Sequence, residues 1–248
     1  YDRLVDFYKT SYAALNGGTE PTQDQVNTHL LTEYSYVTSD GITDVASVYA
    51  TASAFAAIKT DGTVAVWGDT RFGGDSADYI NGGSGSDLTV ADLTNVTQVY
   101  SNNGAFVALA SDGNGGQQYV AWGNAEFGGE TDVSSYSDAN VSSVSATNEA
   151  FAFLLNDKSL FSFGNLEDDT TPTGTFTNVI SNSGAFLAWD TSSDGDVDDV
   201  VVWGVDYSGG DASVAGLDAI DGSTISEVRA TERAFALRLS DGSVFTFG

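Results

Sequence analysis

An all-β fold is predicted for this chain: a β-propeller of about five to seven small antiparallel blades, preceded by a short N-terminal helical segment. Three observations predict it. An Ala-Phe pair recurs at Phe55, Phe106, Phe151, Phe186 and Phe235. Each Phe follows a valine by seven residues (Val48, Val99, Val144, Val179, Val228) and precedes an aromatic-glycine pair (Trp67-Gly68, Trp122-Gly123, Phe163-Gly164, Trp203-Gly204, Phe247-Gly248). The runs between these landmarks are apolar at consecutive positions, so each small sheet should be covered on both faces. Small sheets stacked face to face around an axis meet that requirement, and the alternation of Phe with Ala suits a wedge. A β-solenoid is the rival reading, but its repeat is usually shorter and holds no internal hairpin.

Residues 1–44 read differently from the rest. Leu4, Tyr8, Tyr12 and Leu15 fall at helical spacing, Asn16-Gly17-Gly18 stops that helix, and Thr19-Glu20-Pro21 starts another with Val26, Leu30 and Leu31 on one face. A degenerate sixth repeat is the alternative, because Val5 precedes Tyr12-Ala13-Ala14-Leu15 by the same seven residues. Five units follow at about 45–95, 96–140, 141–175, 176–224 and 225–248. In the first, "VASVYAT" and "AFAAIKT" are strands, Asp61-Gly62 is the turn, and "VAVWG" is a third strand. Asp-Gly between apolar runs marks a hairpin because glycine accepts the positive φ of tight turns. Asp241-Gly242 repeats it, Asp157-Lys158 replaces it in the third unit, and the second and fourth units carry longer loops.

The pattern "VxxVxxxxxAFAAIKxDGxVxxWGxxxFGGD" resembles the repeats of the regulator-of-chromosome-condensation superfamily, over about Val45 to Gly248. It is most similar to the short-repeat branch that includes secreted bacterial β-lactamase inhibitor propellers. The resemblance implies a propeller, for which seven blades are typical of the family. The family's Gly-Gln after the tryptophan is here Gly73-Gly74-Asp75, Gly128-Gly129-Glu130 and Gly209-Gly210-Asp211, and its histidine before the central strand is absent.

Composition narrows the function. The chain has 248 residues, 35 Asp and Glu against 8 Lys and Arg, and a net charge of −27. Such a surface repels phosphate backbones and anionic headgroups, which argues against nucleic acid and membrane partners and favours cations. No apolar run is long enough to span a bilayer, so membrane insertion is not expected. Cysteine is absent and His29 is the one histidine, which excludes a His/Cys zinc site and leaves a catalytic triad poorly supplied. The chain starts at Tyr1 and ends on a repeat landmark, and it reads as a processed or excised piece of something longer.

The best site candidate is "WDTSSDGDVDDVVVWG" (189–204). Asp190, Ser192, Asp194, Asp196 and Asp198 offer oxygen ligands around the hinge at Gly195, in the rhythm of a calcium loop, although Val201 stands where a closing acid is usual. Calcium is the ion such a loop would take, and a solvated acidic hairpin loop in place of the short Asp-Gly turn is the alternative. The Gly-Gly-acid loops read first as turn chemistry and second as a ring of carboxylates. Trp67, Trp122 and Trp203 read as packing residues.

These features point to a noncatalytic module of a secreted or cell-surface bacterial protein. It would act in adhesion or extracellular assembly through loops such as 69–95, 124–140 and 205–224, binding a protein or glycan ligand or copies of itself. A soluble propeller-type inhibitor or regulator is the second expectation. A subunit of an extracellular filament or virion coat and a glycan-acting enzyme follow.

Overall fold

A computed structural model describes Pro21 and residues 42–83, 88–167, 171–191, 200–213 and 216–248. The expected N-terminal helices, apart from Pro21, lie outside the described residues, as do Ser192, Asp194, Asp196 and Asp198.

Among the described residues five three-stranded antiparallel sheets follow one another along the chain. Blade 1 is β1 (Val45–Ala50), β2 (Ala54–Lys59) and β3 (Val64–Gly68). Blade 2 is β4 (Gln98–Ser101), β5 (Ala105–Ser111) and β6 (Gln117–Gly123). Blade 3 is β7 (Val141–Ala146), β8 (Ala150–Leu155) and β9 (Leu160–Gly164). Blade 4 is β10 (Asn178–Ser181), β11 (Ala185–Trp189) and β12 (Val200–Gly204). Blade 5 is β13 (Ile225–Ala230), β14 (Phe235–Leu239) and β15 (Val244–Phe247).

The three sequence landmarks meet in one place on every sheet. The repeat Phe pairs across strands with the aromatic of the aromatic-glycine pair, as Phe106 with Trp122 and Phe186 with Trp203. Their rings stack at 5.1 Å in both blades. The repeat valine faces the residue two positions after the Phe on the same side, as Val99 faces Ala108. The glycine that follows the aromatic is forced: at Gly68 (φ +114) a Cβ would lie 2.6 Å from Ser53 O and 2.7 Å from Ala54 Cα.

Each blade thus has a large face built on Phe and aromatic and a small face built on Ala. The large face of one blade packs on the small face of the blade before it. Phe106 and Trp122 lie in one buried cluster with Ala54, Ala56 and Ile58 of blade 1. Phe151, Phe153 and Phe163 meet Ala105, Val107 and Leu109 of blade 2. Phe186 and Trp203 meet Ala150, Ala152 and Leu154, and Phe235 and Leu237 meet Ala185 and Leu187. The first strands are innermost: β1 neighbours β4, β4 neighbours β7, and β7 neighbours β10.

The long connectors do something the sequence did not announce. Ile80, Val90, Leu93 and Val96 are buried in the seam between blades 1 and 2, and Leu217 and Ile220 seal the seam between blades 4 and 5. Connector groups also satisfy the outermost strands. Asn81 Oδ1 accepts from the Ala121 amide at 2.9 Å, and Tyr136 O accepts from the Tyr119 amide at 2.8 Å. Strand edges that would otherwise recruit another chain are covered there.

Candidate functional site

The five turns that join the first and second strands of the blades lie side by side at one end of the array, clasped by a backbone ladder. The amide of Ala52 donates to Asn103 O (2.9 Å), Asn103 to Asn148 O (2.8 Å), Asn148 to Ser183 O (2.8 Å) and Ser183 to Glu232 O (3.3 Å). Beneath them a Thr or Asn caps each turn. Asn102 Oδ1 accepts from the amides of Gly104 and Ala105 at 2.9 and 2.8 Å, while its Nδ2 donates to Phe127 O at 2.8 Å. Asn182 repeats this arrangement with Gly184, Ala185 and Ser208. Thr51 and Thr147 cap through Oγ1 onto the amides of Ala54 and Ala150. Such local side-chain caps hold a turn in one shape.

On this rigid end the turn residues set the relief. Blades 3 and 5 carry Asn148-Glu149 and Glu232-Arg233, whereas blade 4 between them carries only Ser183-Gly184. A small turn between two large ones leaves a groove of about 110 Å³, lined also by Asn165 and Tyr207. Asn165 Nδ2 donates to Glu149 Oε2 at 2.6 Å, which fixes that carboxylate. The Arg233 guanidinium lies 5.5 Å from the ring centre of Tyr207, which is 68% exposed. The groove therefore offers an aromatic surface, a cation and two carboxylates, a set that can stack a flat apolar face and bind hydroxyl or amide groups beside it.

Tyr207 lies in the 205–224 loop expected to supply contacts but was not singled out there, and Arg233 lies outside the named loops, yet a signal existed. Tyr207 occupies the place in the turn after the third strand where other units have Arg71, Glu126 and Glu167, so it is an aromatic among charges. The Thr or Asn three residues before each Ala-Phe alanine recurred in all five units and also went unread.

The Gly-Gly-acid loops act as turns. Gly73 and Gly128 end short 3-10 turns at φ 90 and φ 93. A Cβ on Gly73 would meet the Phe106 ring at 2.8 Å, and one on Gly128 the Phe163 ring at 2.8 Å, so the turn backbone packs on the next blade's large face. Gly73 O also accepts from Trp122 Nε1 at 3.2 Å. Blade 3 lacks a Gly-Gly turn, and Trp203 Nε1 is buried with no partner among the described residues. The tryptophans pack: Trp122 and Trp203 are buried, and Trp67 is half-buried against Phe55.

Two of the acids after the glycines, Asp75 and Glu130, bear on Asp78. Asp78 and Glu130 line a cleft with Tyr79. Burial, then the charges of Asp75 and Glu130, push the Asp78 carboxyl up to about 6. Among the described residues no group of three or more His, Asp or Glu side chains is placed to hold a metal ion. Of the residues named for a calcium loop, Asp190 alone lies within the described residues. It is 1% exposed, and its Oδ2 accepts from Lys158 Nζ at 3.3 Å.

No protein-family model matches the chain, and no curated protein matches it in sequence. Solved structures do resemble it. The CRINKLY WD40 ectodomain of the Arabidopsis thaliana receptor kinase ACR4 is 14% identical with a TM-score of 0.46, the likeness covering 84% of this chain and 66% of that one. Prp20p of Saccharomyces cerevisiae, an RCC1 protein, is 17% identical at TM-score 0.44, over 85% and 58%. The C-terminal domain of gp131 from bacteriophage phiKZ is 8% identical at TM-score 0.34, over 84% and 82%. The chain spans less than two thirds of the first two structures' lengths. The propeller assignment rests on the five sheets, their face-to-face packing and the turn ladder.

Proposed function

We propose that this chain is a noncatalytic recognition module of a secreted or cell-surface bacterial protein, acting in adhesion or extracellular assembly. It would hold a protein or glycan ligand in the groove over blades 3 to 5. The observation that carries this reading is the exposed Tyr207 ring under the Arg233 guanidinium, standing beside a groove whose floor is a clasped and capped backbone. The ligand-facing side chains come from turns that cannot sag, so little ordering cost falls on binding. The acidic surface supports solubility outside the cell and a role for calcium at the 190–198 loop. The test is a screen of the purified chain against arrayed glycans and bacterial surface fractions. Tyr207→Ala and Glu149→Gln should each weaken the ligand found by tenfold or more while leaving melting unchanged; binding indifferent to both changes contradicts the site.

One observation favours a second reading, a glycan-acting enzyme. The Asp78 carboxyl is pushed up to about 6 by burial and by Asp75 and Glu130, the kind of split environment in which one carboxyl serves as acid and another as base. Polysaccharide turnover abolished by Asp78→Asn would establish it.

A further inference from the structure

Among the described residues no further blade packs on either end face of the array, and the two faces differ. On blade 1 no described blade covers the large face: Phe55 is 43% exposed and Val48 54%, whereas Phe106, Phe151 and Phe186 are 0% exposed. Phe55 is nonetheless built for packing, stacked on Trp67 at 5.2 Å and 17° as its counterparts are stacked in the buried seams. On blade 5 the small face is uncovered. It presents Ala234, Ala236 and Arg238 in the series that reads Ala54, Ala56, Ile58 in blade 1 and Ala150, Ala152, Leu154 in blade 3. Arg238 and Arg229 share the Glu227 carboxylate at 3.0 and 2.7 Å.

We infer that these two faces fit each other, and that copies of this chain associate head to tail, the small face of blade 5 on one copy covering the Phe55 face of blade 1 on the next. Three observations choose a second copy as the occupant. The first is size: each internal seam joins a large face to the small face of the preceding blade, and the free ends are one of each. The second is polarity. In the turn ladder each blade donates its amide to the carbonyl of the next. Among the described residues Ala52 O at one end accepts no bond and the Glu232 amide at the other donates none. A stacked copy brings that amide to that carbonyl.

The third is charge. In a chain of net charge −27, residues 225–248 hold three acids and three arginines and are neutral, so blade 5 is where a second acidic copy is repelled least. Arg238 pairs in register with Glu227 and Val244 at the end of the blade away from the turn ladder. At the same end of blade 1 stand Asp44 and Asp61, both exposed. The stack therefore sets arginine opposite aspartate while the apolar surfaces close. A contact between two different faces does not cap itself, so it generates filaments or rings.

The test is sedimentation of the purified chain from micromolar to hundreds of micromolar. The parent chain should grow beyond a dimer with concentration. Phe55→Asp, which spoils the blade 1 face, and Arg238→Glu, which spoils the blade 5 face, should each stay monomeric, with association weakened at least tenfold. Mixed together, the two variants should form a heterodimer and nothing larger, because one good face remains on each. Val48→Lys replaces Phe55→Asp should the latter lose its circular dichroism spectrum. A parent chain that stays monomeric throughout, a self-association untouched by these changes, or a mixture that yields no heterodimer overturns the inference.

Discussion

Lys158 Nζ, from the β8–β9 turn of blade 3, lies 3.3 Å from the Oδ2 of Asp190, a carboxylate 1% exposed at the end of β11 in blade 4. Lys158 sits at φ 72, where the other short hairpins have glycine. A non-glycine residue there costs about 1 kcal/mol of backbone strain. The side chain returns more than that by reaching the neighbouring blade. Lys158→Gly, which restores the Asp-Gly turn of blades 1 and 5, is thus expected to destabilise the chain by about 1–3 kcal/mol. Chemical denaturation checks this; a stabilised variant contradicts the role given to the pair.

Asn102 and Asn182 each accept from two turn amides and donate to a carbonyl of the following 3-10 turn. Truncating either to Ala leaves those groups without their partner at a buried or half-buried position. The expected loss is about 2–3 kcal/mol, larger than for Thr51→Ala, whose hydroxyl makes longer bonds, accepting from Ser53 N at 3.4 Å and donating to Phe72 O at 3.3 Å. Calorimetric melting of the three variants gives the ranking.

Asp78 makes the stability depend on pH. Its carboxyl titrates at about 6 in the folded chain against an ordinary 3.8. The folded state thus binds the proton more tightly, and stability falls as pH rises from about 4 through 6. Because Asp78 is half-buried, solvent screening discounts the effect to about 1–2 kcal/mol. Asp78→Asn should raise the melting temperature by about 2–4 °C at pH 8 and leave it unchanged at pH 4. A gain of equal size at both values contradicts the assignment. Asp61, Asp157 and Asp241 run the other way: hydrogen bonds from Thr63, Ser159 and Ser243 hold them low, and their contribution is lost as pH falls below about 4.

Calcium added to metal-free chain should raise the melting temperature in proportion to occupancy of the 190–198 loop. Asp194→Asn with Asp196→Asn should remove that rise without changing the metal-free melting point. No rise at millimolar calcium rules the loop out as a site.

The fold was legible because the blade is a local device. Val48, Phe55 and Trp67 meet within 20 residues, so their register shows directly in the sequence, five times over. What was not legible arises between blades. Nothing in "SNNGAF" or "SNSGAF" says that Asn103 and Ser183 pass a backbone hydrogen bond along the array, since a main-chain amide has no letter of its own. The groove was hidden for a related reason: its shape is a contrast between Glu149, Gly184 and Arg233, three residues that look ordinary until their turns stand side by side. The connectors expected to carry recognition do two things: 205–224 supplies Tyr207 to the groove, while 69–95 and 205–224 also bury Ile80, Val90 and Leu217, whose apolar character marks them as packing residues.

The turn ladder can be tested by amide hydrogen exchange, measured on monomeric chain residue by residue. The amides of Ala52, Asn103, Asn148 and Ser183 should exchange slowly despite lying in turns, while that of Glu232, at the open end, exchanges rapidly. Exchange of all five at the same fast rate would contradict a clasped array, and with it the rigid groove on which the proposed recognition stands.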